Sequence, residues 1–555
     1  MKRFIVEKDV AIPMRDGIRL KADLWRPDAE QPVATILYRT PYDRAALNPD
    51  FLRPQDAVNA GFAAVVQDTR GRFGSEGAWK PLMWDQEGDD GYDSVEWIAQ
   101  QDWCSGSVGM AGPSYLGIAQ LMAAARKPPH LKAIAPALTS SRDFELIEMG
   151  GGLRLDHLLS WAAFMAVDWM RRQQESGAAL PPDAADLIMK AALNPRILMD
   201  HRPLRDCPIF SLPGFPIGFD ELVNPDGGAP IAAGVADIPT LHVGGWYDIF
   251  AQASIGMFQR QRDAGRSDAH LIMGCWTHSG SLGQQHGEVN FGVMASAGGS
   301  RIADHHISFF RRYLEGADIA LPAVRYFLAN ANEWRTADAW PPHGAAALGL
   351  ELSGSGKQQY DYDPADPTPT VGGRTLYLGG LAMGPIDQRK LDTRQDFLRY
   401  VAEAFRESVD LIGPVTARLT VSTSAVDTDF ICKLIDVAPD GTILPICEGT
   451  LRLRYRNGFD CEVPAEPDTP LPIDIPLGHA AWRVQTGHRI GIQIQSGNYP
   501  HLDPNMNEMT RIGEGVAGTI ARNSIHDNPG ASRIEVMFAG PQRPPTALRP
   551  VRAEI

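Results

Sequence analysis

One serine stands in a glycine-edged turn at residues 112–117, in the sequence GPSYLG, where an apolar run gives way to a helix-like run. Glycines relieve the backbone cost of so tight a turn. A turn between a strand and a helix would expose the hydroxyl of Ser114 as a nucleophile. Leu116 occupies the position at which the general G-x-S-x-G pattern has glycine, and the second glycine comes one residue later. The segment alone is equally consistent with a catalytic serine and with an ordinary glycine turn.

Two later residues could activate that serine. Serine is a weak nucleophile and needs an adjacent base, usually a histidine that a carboxylate orients. Asp248 follows the apolar run HVGGWY, and His278 follows the next one, LIMGCWT. The chain order serine, aspartate, histidine is the order found in α/β-hydrolases. Taken singly, Asp248 is better interpreted as a helix N-cap and His278 could be a loop residue, so the catalytic interpretation depends on the three residues together.

A metal site is the alternative use of such residues. Asp68, His242, Asp248 and His278 could be imagined as ligands, but they lack the H-E-x-x-H or H-x-x-E-H spacing of metal hydrolases. We expect no catalytic metal and no cofactor. Asp68 is expected to organise its own loop, through backbone N–H groups or Arg70, and to take no part in the chemistry.

The elements that would position these residues fall into two kinds. Short apolar runs at 33–39, 63–68, 108–112, 131–137, 239–245 and 270–274 alternate with helical stretches, which indicates a parallel sheet covered on both faces. In such sheets functional groups collect just past the carboxyl ends of the strands. After about residue 350 the runs alternate in polarity and are joined by Asp-Gly or Asn-Gly turns, which favours an all-β sandwich, plausibly a jelly roll.

Four segments follow from this reading of the chain. Residues 139–236 show helical periodicity without a strand pattern, so they predict a helical cap inserted into the α/β domain. The predicted organisation is an α/β core at 1–138 and 237–350, the cap at 139–236, and a β-sandwich jelly roll at 351–555.

The composition of the chain indicates which binding partners and which cellular compartment to expect. The 555 residues carry a net charge of −15, which argues against nucleic acid or an anionic membrane as partner. The first 20 residues lack a signal-peptide core, and no stretch is apolar enough to span a bilayer. The six cysteines show no metal spacing and predict free thiols. We expect a cytoplasmic enzyme that acts on a small molecule, and the sequence leaves a homodimer open.

Several longer motifs resemble the cocaine-esterase-like family of acyl hydrolases, whose relatives include X-prolyl dipeptidyl aminopeptidases, α-amino-acid ester hydrolases and glutaryl-cephalosporin acylases. The resemblance spans almost the whole chain. It rests on IPMRDGIRLKADLWRP (12–27), TPYDR (40–44), VVQDTRGRFGSEG (65–77), GPSYLG, GGWYD (244–248), GCWTH (274–278), SAVDTDFICKLIDVAPDG (424–441) and GHRIGIQIQSGNYP (487–500). The turn with tyrosine after the serine is this family's own form. The resemblance implies an α/β-hydrolase core, an inserted helical cap, a C-terminal jelly roll, and the triad Ser114, Asp248 and His278.

The resemblance also implies further site residues. Tyr42 matches the family's oxyanion tyrosine, and the backbone N–H of Tyr115 would be the second donor to the oxyanion. Trp161 and Phe250 match aromatic residues of the acyl pocket, and a second pocket tryptophan of the family falls near Leu146.

One departure bears on the substrate. Amino-acid ester hydrolases carry carboxylates just after the catalytic aspartate, whereas this chain has Ile249 and Phe250 there. An acid elsewhere in the cap, such as Glu145, Glu148 or Asp156, could still serve that purpose. The sequence therefore predicts a serine hydrolase of carboxylic esters that works through an acyl-enzyme. An amidase, a peptidase or an α-amino-acid ester hydrolase is the alternative, and a carbohydrate-binding jelly-roll protein is disfavoured because it would need no triad.

Overall fold

Two β-sheets of different kinds organise the chain. The structure, a computed structural model, describes residues 3–81, 84–141, 148–223, 237–376, 380–540 and 545–551. Over these ranges, a 10-stranded sheet forms in the first part of the chain and an 11-stranded sheet in the last part. The predicted fold class, an α/β domain with inserted helices followed by an all-β domain, is confirmed.

The strands of the α/β part alternate with helices along the chain. They are β1 (Phe4–Pro13), β2 (Arg19–Pro27), β3 (Val33–Thr40), β4 (Ala63–Asp68), β5 (Cys104–Pro113), β6 (Leu131–Ala137), β7 (Glu148–Met149), β8 (Gly152–Leu153), β9 (Thr240–Tyr247), β10 (Ala269–Thr277), β11 (Gln285–His286), β12 (Val289–Asn290), β13 (Val324–Leu328) and β14 (Glu333–Ala337). The large sheet has the order β1-β2-β4-β3-β5-β6-β9-β10-β13-β14, and β7–β8 and β11–β12 are separate hairpins.

The centre of this sheet is parallel, and its edges are antiparallel. All pairings from β4 through β3, β5, β6, β9 and β10 to β13 are parallel. Every residue of β4, β9 and β10 is buried. Because helices cover both faces, these strands are mostly apolar and do not alternate regularly with polar residues.

Ten helices are present within the described ranges. They are α1 (Pro54–Ala60), α2 (Trp84–Ala99), α3 (Tyr115–Ala125), α4 (Leu155–Glu175), α5 (Ala184–Leu193), α6 (Arg196–Met199), α7 (Phe219–Val223), α8 (Ala251–Asp263), α9 (Ala297–Ser300) and α10 (Ile302–Glu315). α3 follows β5 and α8 follows β9, so both begin at the carboxyl edge of the parallel strands. Across the described part of the chain, no helix combines the length and the apolar character that crossing a membrane requires.

Four of these helices, α4 to α7, lie between β6 and β9. α4 buries Leu155, Leu158, Leu159 and Ala162, a spacing that gives a helix one apolar face. This face belongs to a core that also contains Phe250, so the inserted helices pack over the carboxyl edge of the sheet. The hairpin β7–β8 precedes α4 and was not predicted, because strands of two residues are too short to show a period.

The C-terminal part is an antiparallel β-structure. Its strands are β15 (Ala346–Leu352), β16 (Lys357–Tyr362), β17 (Phe397–Val401), β18 (Val409–Thr423), β19 (Asp429–Val437), β20 (Ile443–Arg452), β21 (Leu471–Val484), β22 (Arg489–Gln495), β23 (Ala521–His526), β24 (Arg533–Ala539) and β25 (Ala547–Val551). β24 alternates buried and partly exposed residues, the pattern of a strand with one face on a core. Tyr247, at the end of β9, donates its hydroxyl to the Pro445 carbonyl at 3.1 Å, so this part contacts the α/β sheet at the carboxyl end of β9.

Candidate active site

Ser114 lies in a strained turn at the carboxyl end of β5. Its φ of 58° and ψ of −125° are unusual for a residue with a side chain. Gly112 has a φ of 132°, and a Cβ there would lie 2.6 Å from the Leu116 side chain. A Cβ on Gly117 would lie 2.6 Å from the side chain of Thr139. The glycine at the third place after the serine thus lets α3 approach the segment that follows β6, while the strained backbone aims Ser114 outward, a form of strain common at functional sites.

His278 connects Ser114 to Asp248 in one line of hydrogen bonds. Its Nε2 lies 3.1 Å from Ser114 Oγ, and its Nδ1 lies 2.5 Å from Asp248 Oδ2. The Asp248 side chain is fully buried and that of His278 is 9% exposed. The three residues come from the ends of β5, β9 and β10, which are separate strands of one sheet edge. The predicted triad residues are therefore within hydrogen-bonding distance of one another.

Asp248 is not the N-cap of α8, the alternative considered from the sequence, because Phe250 holds that position and no side chain caps the helix. Oδ1 of Asp248 accepts the backbone N–H of Phe250 at 2.9 Å, just before α8 begins. One carboxylate oxygen thus faces the helix start and the other faces His278. Since both oxygens are engaged, the carboxylate is held in a single orientation.

Tyr42 follows β3 and reaches the same edge. Trp161 of α4 donates its indole N–H to the Tyr42 hydroxyl at 3.2 Å. Burial raises the pKa of Tyr42, although hydrogen bonds with Trp161 and Ser114 and the positive charge of Arg72 act in the opposite direction. The phenol is therefore protonated at neutral pH, and its hydroxyl hydrogen is available to an acceptor beside Ser114.

Tyr115 is the first residue of α3. Its backbone N–H belongs to the first turn of that helix, next to Ser114, where the helix dipole favours negative charge. Its ring lies edge-on to Tyr42, with 6.4 Å between centroids. The two predicted oxyanion donors thus belong to residues whose rings are in contact, and one of these residues directly follows the serine.

Aromatic rings form the walls around the serine. Phe250 lies edge-on to His278, with ring centroids 5.4 Å apart, and Trp161 packs against Trp79 at 5.9 Å. His157 lies 5.9 Å from Phe250, and Phe164 lies 5.9 Å from Tyr42. The structure thus brings the predicted Trp161 and Phe250 to the site. Leu146, the third predicted wall residue, lies outside the described residues.

Three of these wall residues were missed from the sequence. His157 and Phe164 belong to the same helix as Trp161, at spacings of four and three residues. That spacing places all three on one side of α4, and it was the available signal. Trp79 lies in a loop without periodicity, so nothing local indicated its position.

The acidic residues of the inserted segment bear on substrate charge. Asp156 is fully buried and has partners outside the triad: its Oδ2 lies 2.9 Å from Nδ1 of His501 and accepts the N–H of Leu376 at 3.1 Å. Both partners come from the C-terminal part of the chain. Glu145 and the side chain of Glu148 lie outside the part of the chain that the structure describes. Of the three acids considered from the sequence, Asp156 is therefore committed to holding α4 against the β-structure.

The other polar candidates have structural partners. Asp68 accepts the backbone N–H groups of Arg44 and Gly74 at 2.7 and 3.2 Å, as expected. Its charged partner is Arg44, while Arg70 pairs with Asp16 and Asp90, so the expected contact with Arg70 is wrong. The buried His242 contacts Gln261 at 2.7 Å. Among the described residues, no group of three or more His, Cys, Asp or Glu side chains is placed to hold a metal ion.

Comparison with known proteins agrees with this architecture. Residues 16–212 and 218–280 match the family model for X-Pro dipeptidyl-peptidase (S15 family), and residues 317–535 match the model for the X-Pro dipeptidyl-peptidase C-terminal non-catalytic domain. The chain is 34% identical to cocaine esterase of Rhodococcus sp. (strain MB1 Bresler), with 99% of both chains covered.

Solved structures show the same fold at lower identity. An α-amino acid ester hydrolase has a TM-score of 0.74 at 23% identity, covering 97% of this chain and 96% of its own. An aminopeptidase from the marine sediment archaeon Thaumarchaeota archaeon gives the same TM-score and identity, with 97% of both chains covered.

The parallel sheet, with a serine turn after one strand and helices on both faces, defines an α/β hydrolase. More specifically, the chain belongs to the cocaine-esterase-like family of acyl hydrolases. It is an enzyme of the carboxylic-ester hydrolase class.

Proposed function

We propose that this enzyme cleaves carboxylic esters through an acyl-enzyme on Ser114. The observation that carries the proposal is the continuous contact from Ser114 Oγ through both nitrogens of His278 to Asp248. A nucleophile, a base and an orienting carboxylate in this arrangement are the groups that serine acyl transfer requires.

In the first half-reaction, Ser114 Oγ attacks the carbonyl carbon of the ester. His278 Nε2 takes the hydroxyl proton as the new carbon–oxygen bond forms, and Asp248 stabilises the resulting imidazolium. When the tetrahedral intermediate collapses, the bond to the alkoxy oxygen breaks. His278 then returns the proton to that oxygen, so the alcohol leaves neutral and the acyl group stays on Ser114.

In the second half-reaction, water replaces the alcohol. His278 takes a proton from water as its oxygen attacks the acyl carbon, and the second tetrahedral intermediate forms. Collapse of this intermediate breaks the bond to Ser114 Oγ, which regains its proton from His278. The products are a carboxylic acid and free enzyme, and these steps need only the protein and water.

Negative charge on the carbonyl oxygen is stabilised by two donors. We assign this role to the Tyr42 hydroxyl, which interacts with the Ser114 side chain, and to the backbone N–H of Tyr115, the residue that directly follows Ser114. Removing one such donor typically costs about 10²–10³ in kcat. The indole N–H of Trp161 supports the arrangement, because it donates to the Tyr42 oxygen and leaves the phenolic hydrogen for the intermediate.

The acyl group that suits this site is neutral and apolar. Ile249 and Phe250, which follow the candidate catalytic aspartate, are 4% and 3% exposed, and Trp161 faces the site from α4. Such walls gain from burying apolar surface, at about 25 cal/mol per Å². An ammonium group would lose hydration without a carboxylate to compensate it, which is costly. Asp156 does not supply that carboxylate, because its oxygens face His501, Leu376 and the His157 N–H.

The alternative function is cleavage of amino-acid esters or amides. An aminopeptidase and an α-amino acid ester hydrolase share the fold, but their identity of 23% shows the fold alone. Specificity for an N-terminal amine would require an acid at the site. The positions after Asp248, which hold Ile249 and Phe250, do not provide one.

A turnover screen tests the proposal. Purified enzyme and the Ser114→Ala variant are compared on p-nitrophenyl esters of increasing acyl length and on the corresponding p-nitroanilides. The proposal predicts ester turnover that falls by about 10³-fold or more in the variant. Turnover of anilides ahead of esters would favour the amidase, and full activity of Ser114→Ala would refute the assignment of the nucleophile.

A further inference from the structure

The side chain of Tyr115 has no part in the proposed reaction, which uses only its backbone N–H. Yet its hydroxyl is specifically bound: it donates to Glu87 Oε2 at 3.2 Å. The Tyr115 and Glu87 residues are 5% and 7% exposed. Burial and the charge of Glu87 raise the pKa of Tyr115 well above its ordinary value, although a hydrogen bond with Trp79 acts in the opposite direction. The phenol therefore stays protonated and acts as the donor in this hydrogen bond.

Glu87 is itself held from the sheet. Arg39 Nη1 lies 2.5 Å from Glu87 Oε1 and also donates to the Glu87 carbonyl oxygen at 2.8 Å. Arg39 is 1% exposed. A buried charge that loses its partner is strongly destabilising. The Arg39–Glu87 pair therefore holds the first turn of α2 against β3.

The same network reaches the strands that lead to the site. Arg39 Nε donates to Gln67 Oε1 at 2.8 Å, and the Ser94 hydroxyl donates to the same oxygen at 3.0 Å. Arg39 lies on β3, three residues before Tyr42, and Gln67 lies on β4. Glu87, on α2, thus connects the Tyr115 side chain to Arg39 on β3 and, through Arg39, to Gln67 on β4.

The direction of a backbone N–H depends on the orientation of its peptide plane, and therefore on the two residues that the peptide joins. The Ser114 backbone is strained at φ 58°. The peptide that links it to Tyr115 is held at its carbonyl oxygen, which accepts the N–H groups of Gly117 and Ile118 and the Thr139 hydroxyl. A restraint on the Tyr115 side chain would hold the same peptide from its other end. The Tyr115 ring, anchored at its hydroxyl, supplies such a restraint at the far end of the same residue. Hydrogen bonds to a carboxylate are stronger than neutral ones.

We propose that Glu87 is a positioning residue that, by binding the Tyr115 hydroxyl, fixes the direction of the Tyr115 N–H toward the oxyanion. This inference rests on the proposed function, because it assumes that Ser114 is the nucleophile and that the Tyr115 N–H stabilises the intermediate. Glu87 acts only through Tyr115 and does not touch the substrate.

Tyr115→Phe tests it, because this variant keeps the ring, the backbone N–H and the Glu87–Arg39 pair. Active sites are titrated with a fluorophosphonate, so that kcat refers to folded and reactive enzyme. We expect kcat to fall about 10- to 100-fold, since a displacement near 1 Å can cost about 10²-fold, while KM changes less than twofold. The inhibition constant of a trifluoromethyl ketone, whose adduct with serine carries an oxyanion, should rise by a similar factor.

Tyr360→Phe is the matched control. It also removes a buried, hydrogen-bonded tyrosine hydroxyl, which contacts Ser496 Oγ at 2.8 Å, but in the C-terminal β-structure. We expect its kcat, KM and ketone inhibition constant to match the wild type. If both variants lose kcat alike, the effect of Tyr115→Phe is a general loss of stability and the inference is wrong.

Two further outcomes separate the claims. A Tyr115→Phe enzyme with kcat within twofold of the wild type, or one with lower kcat but unchanged ketone affinity, overturns the role of Glu87 and leaves the proposed function intact. Full activity of Ser114→Ala in the same assay overturns the proposed function itself. Glu87→Gln is less useful as the primary variant, because it leaves Arg39 buried without its counter-charge.

Discussion

Replacing Tyr42 by phenylalanine removes one hydroxyl and leaves the ring where it packs. The lost hydroxyl has two partners in the proposed reaction: it donates to the oxyanion, and it accepts the Trp161 indole N–H at 3.2 Å. Loss of the first should lower kcat by about 10²–10³, or about 3–4 kcal/mol of transition-state stabilisation. Loss of the second leaves a partly buried donor unpaired and should cost about 1–3 kcal/mol of unfolding free energy.

The assay must separate these two effects. Steady-state kinetics on a p-nitrophenyl ester, with active sites titrated, give kcat and KM, while urea unfolding gives the change in stability. Trp161→Phe is the matched control, because it removes the same hydrogen bond from the other side and leaves the Tyr42 hydroxyl in place. We expect Trp161→Phe to share most of the stability loss but little of the loss in kcat.

The results that would refute this reasoning are specific. An unchanged kcat with a raised KM in Tyr42→Phe would mean that Tyr42 binds the ground state of the substrate and does not stabilise the oxyanion. An equal loss of kcat in both variants would assign the effect to the Trp161–Tyr42 bond itself.

Three further predictions concern the base, the substrate and the pH dependence of folding. In Asp248→Asn, the amide oxygen should accept the Phe250 N–H and turn the NH₂ group toward His278 Nδ1. The imidazole proton then sits on Nε2, and this nitrogen cannot accept the serine proton, so stopped assays should show kcat lowered by about 10⁴. A near-wild-type kcat would contradict the role of Asp248. Phenylacetyl esters should have a higher kcat/KM than phenylglycyl esters of the same alcohol when the amine is protonated, and a clear preference for the phenylglycyl ester would move the enzyme to the amino-acid ester hydrolases. Burial lowers the pKa of several histidines from 6.5 to about 4, namely His242, His286, His306 and His479. Because the unfolded chain binds these protons first, urea unfolding should show stability falling as pH drops from about 6.5 toward 4, and a flat profile over that range would contradict their burial as neutral groups.

The position of the candidate triad could be predicted from local sequence alone. Each member follows a short apolar run directly, and parallel strands bring their carboxyl ends to one edge, so Ser114, Asp248 and His278 were expected to meet. The unusual glycine at 117 did not fit the general pattern. The glycine is explained by tertiary packing, because α3 passes close to Thr139 at this position. A sequence motif does not reveal such a contact between separate segments.

The pocket walls were harder to predict, because they depend on how the inserted helices dock. Trp161 was found through resemblance, while His157 and Phe164 share its helix side and were overlooked. Asp156 could not be placed at all, since its partner His501 lies 345 residues further along the chain. The Tyr115–Glu87–Arg39 network could not be predicted either, because it joins strand β3 and helices α2 and α3, which are separate in sequence.

The acyl-enzyme is the central claim, and mass spectrometry of quenched reactions tests it most directly. Enzyme is mixed with a slowly hydrolysed p-nitrophenyl ester, quenched in acid during turnover and digested, and the peptide that spans residues 110–126 is sequenced. The account predicts that the mass of the acyl group appears on Ser114 during turnover, disappears once the ester is consumed, and never forms in Ser114→Ala. Steady turnover without an adduct on Ser114, or an adduct on another residue that persists in Ser114→Ala, would contradict it.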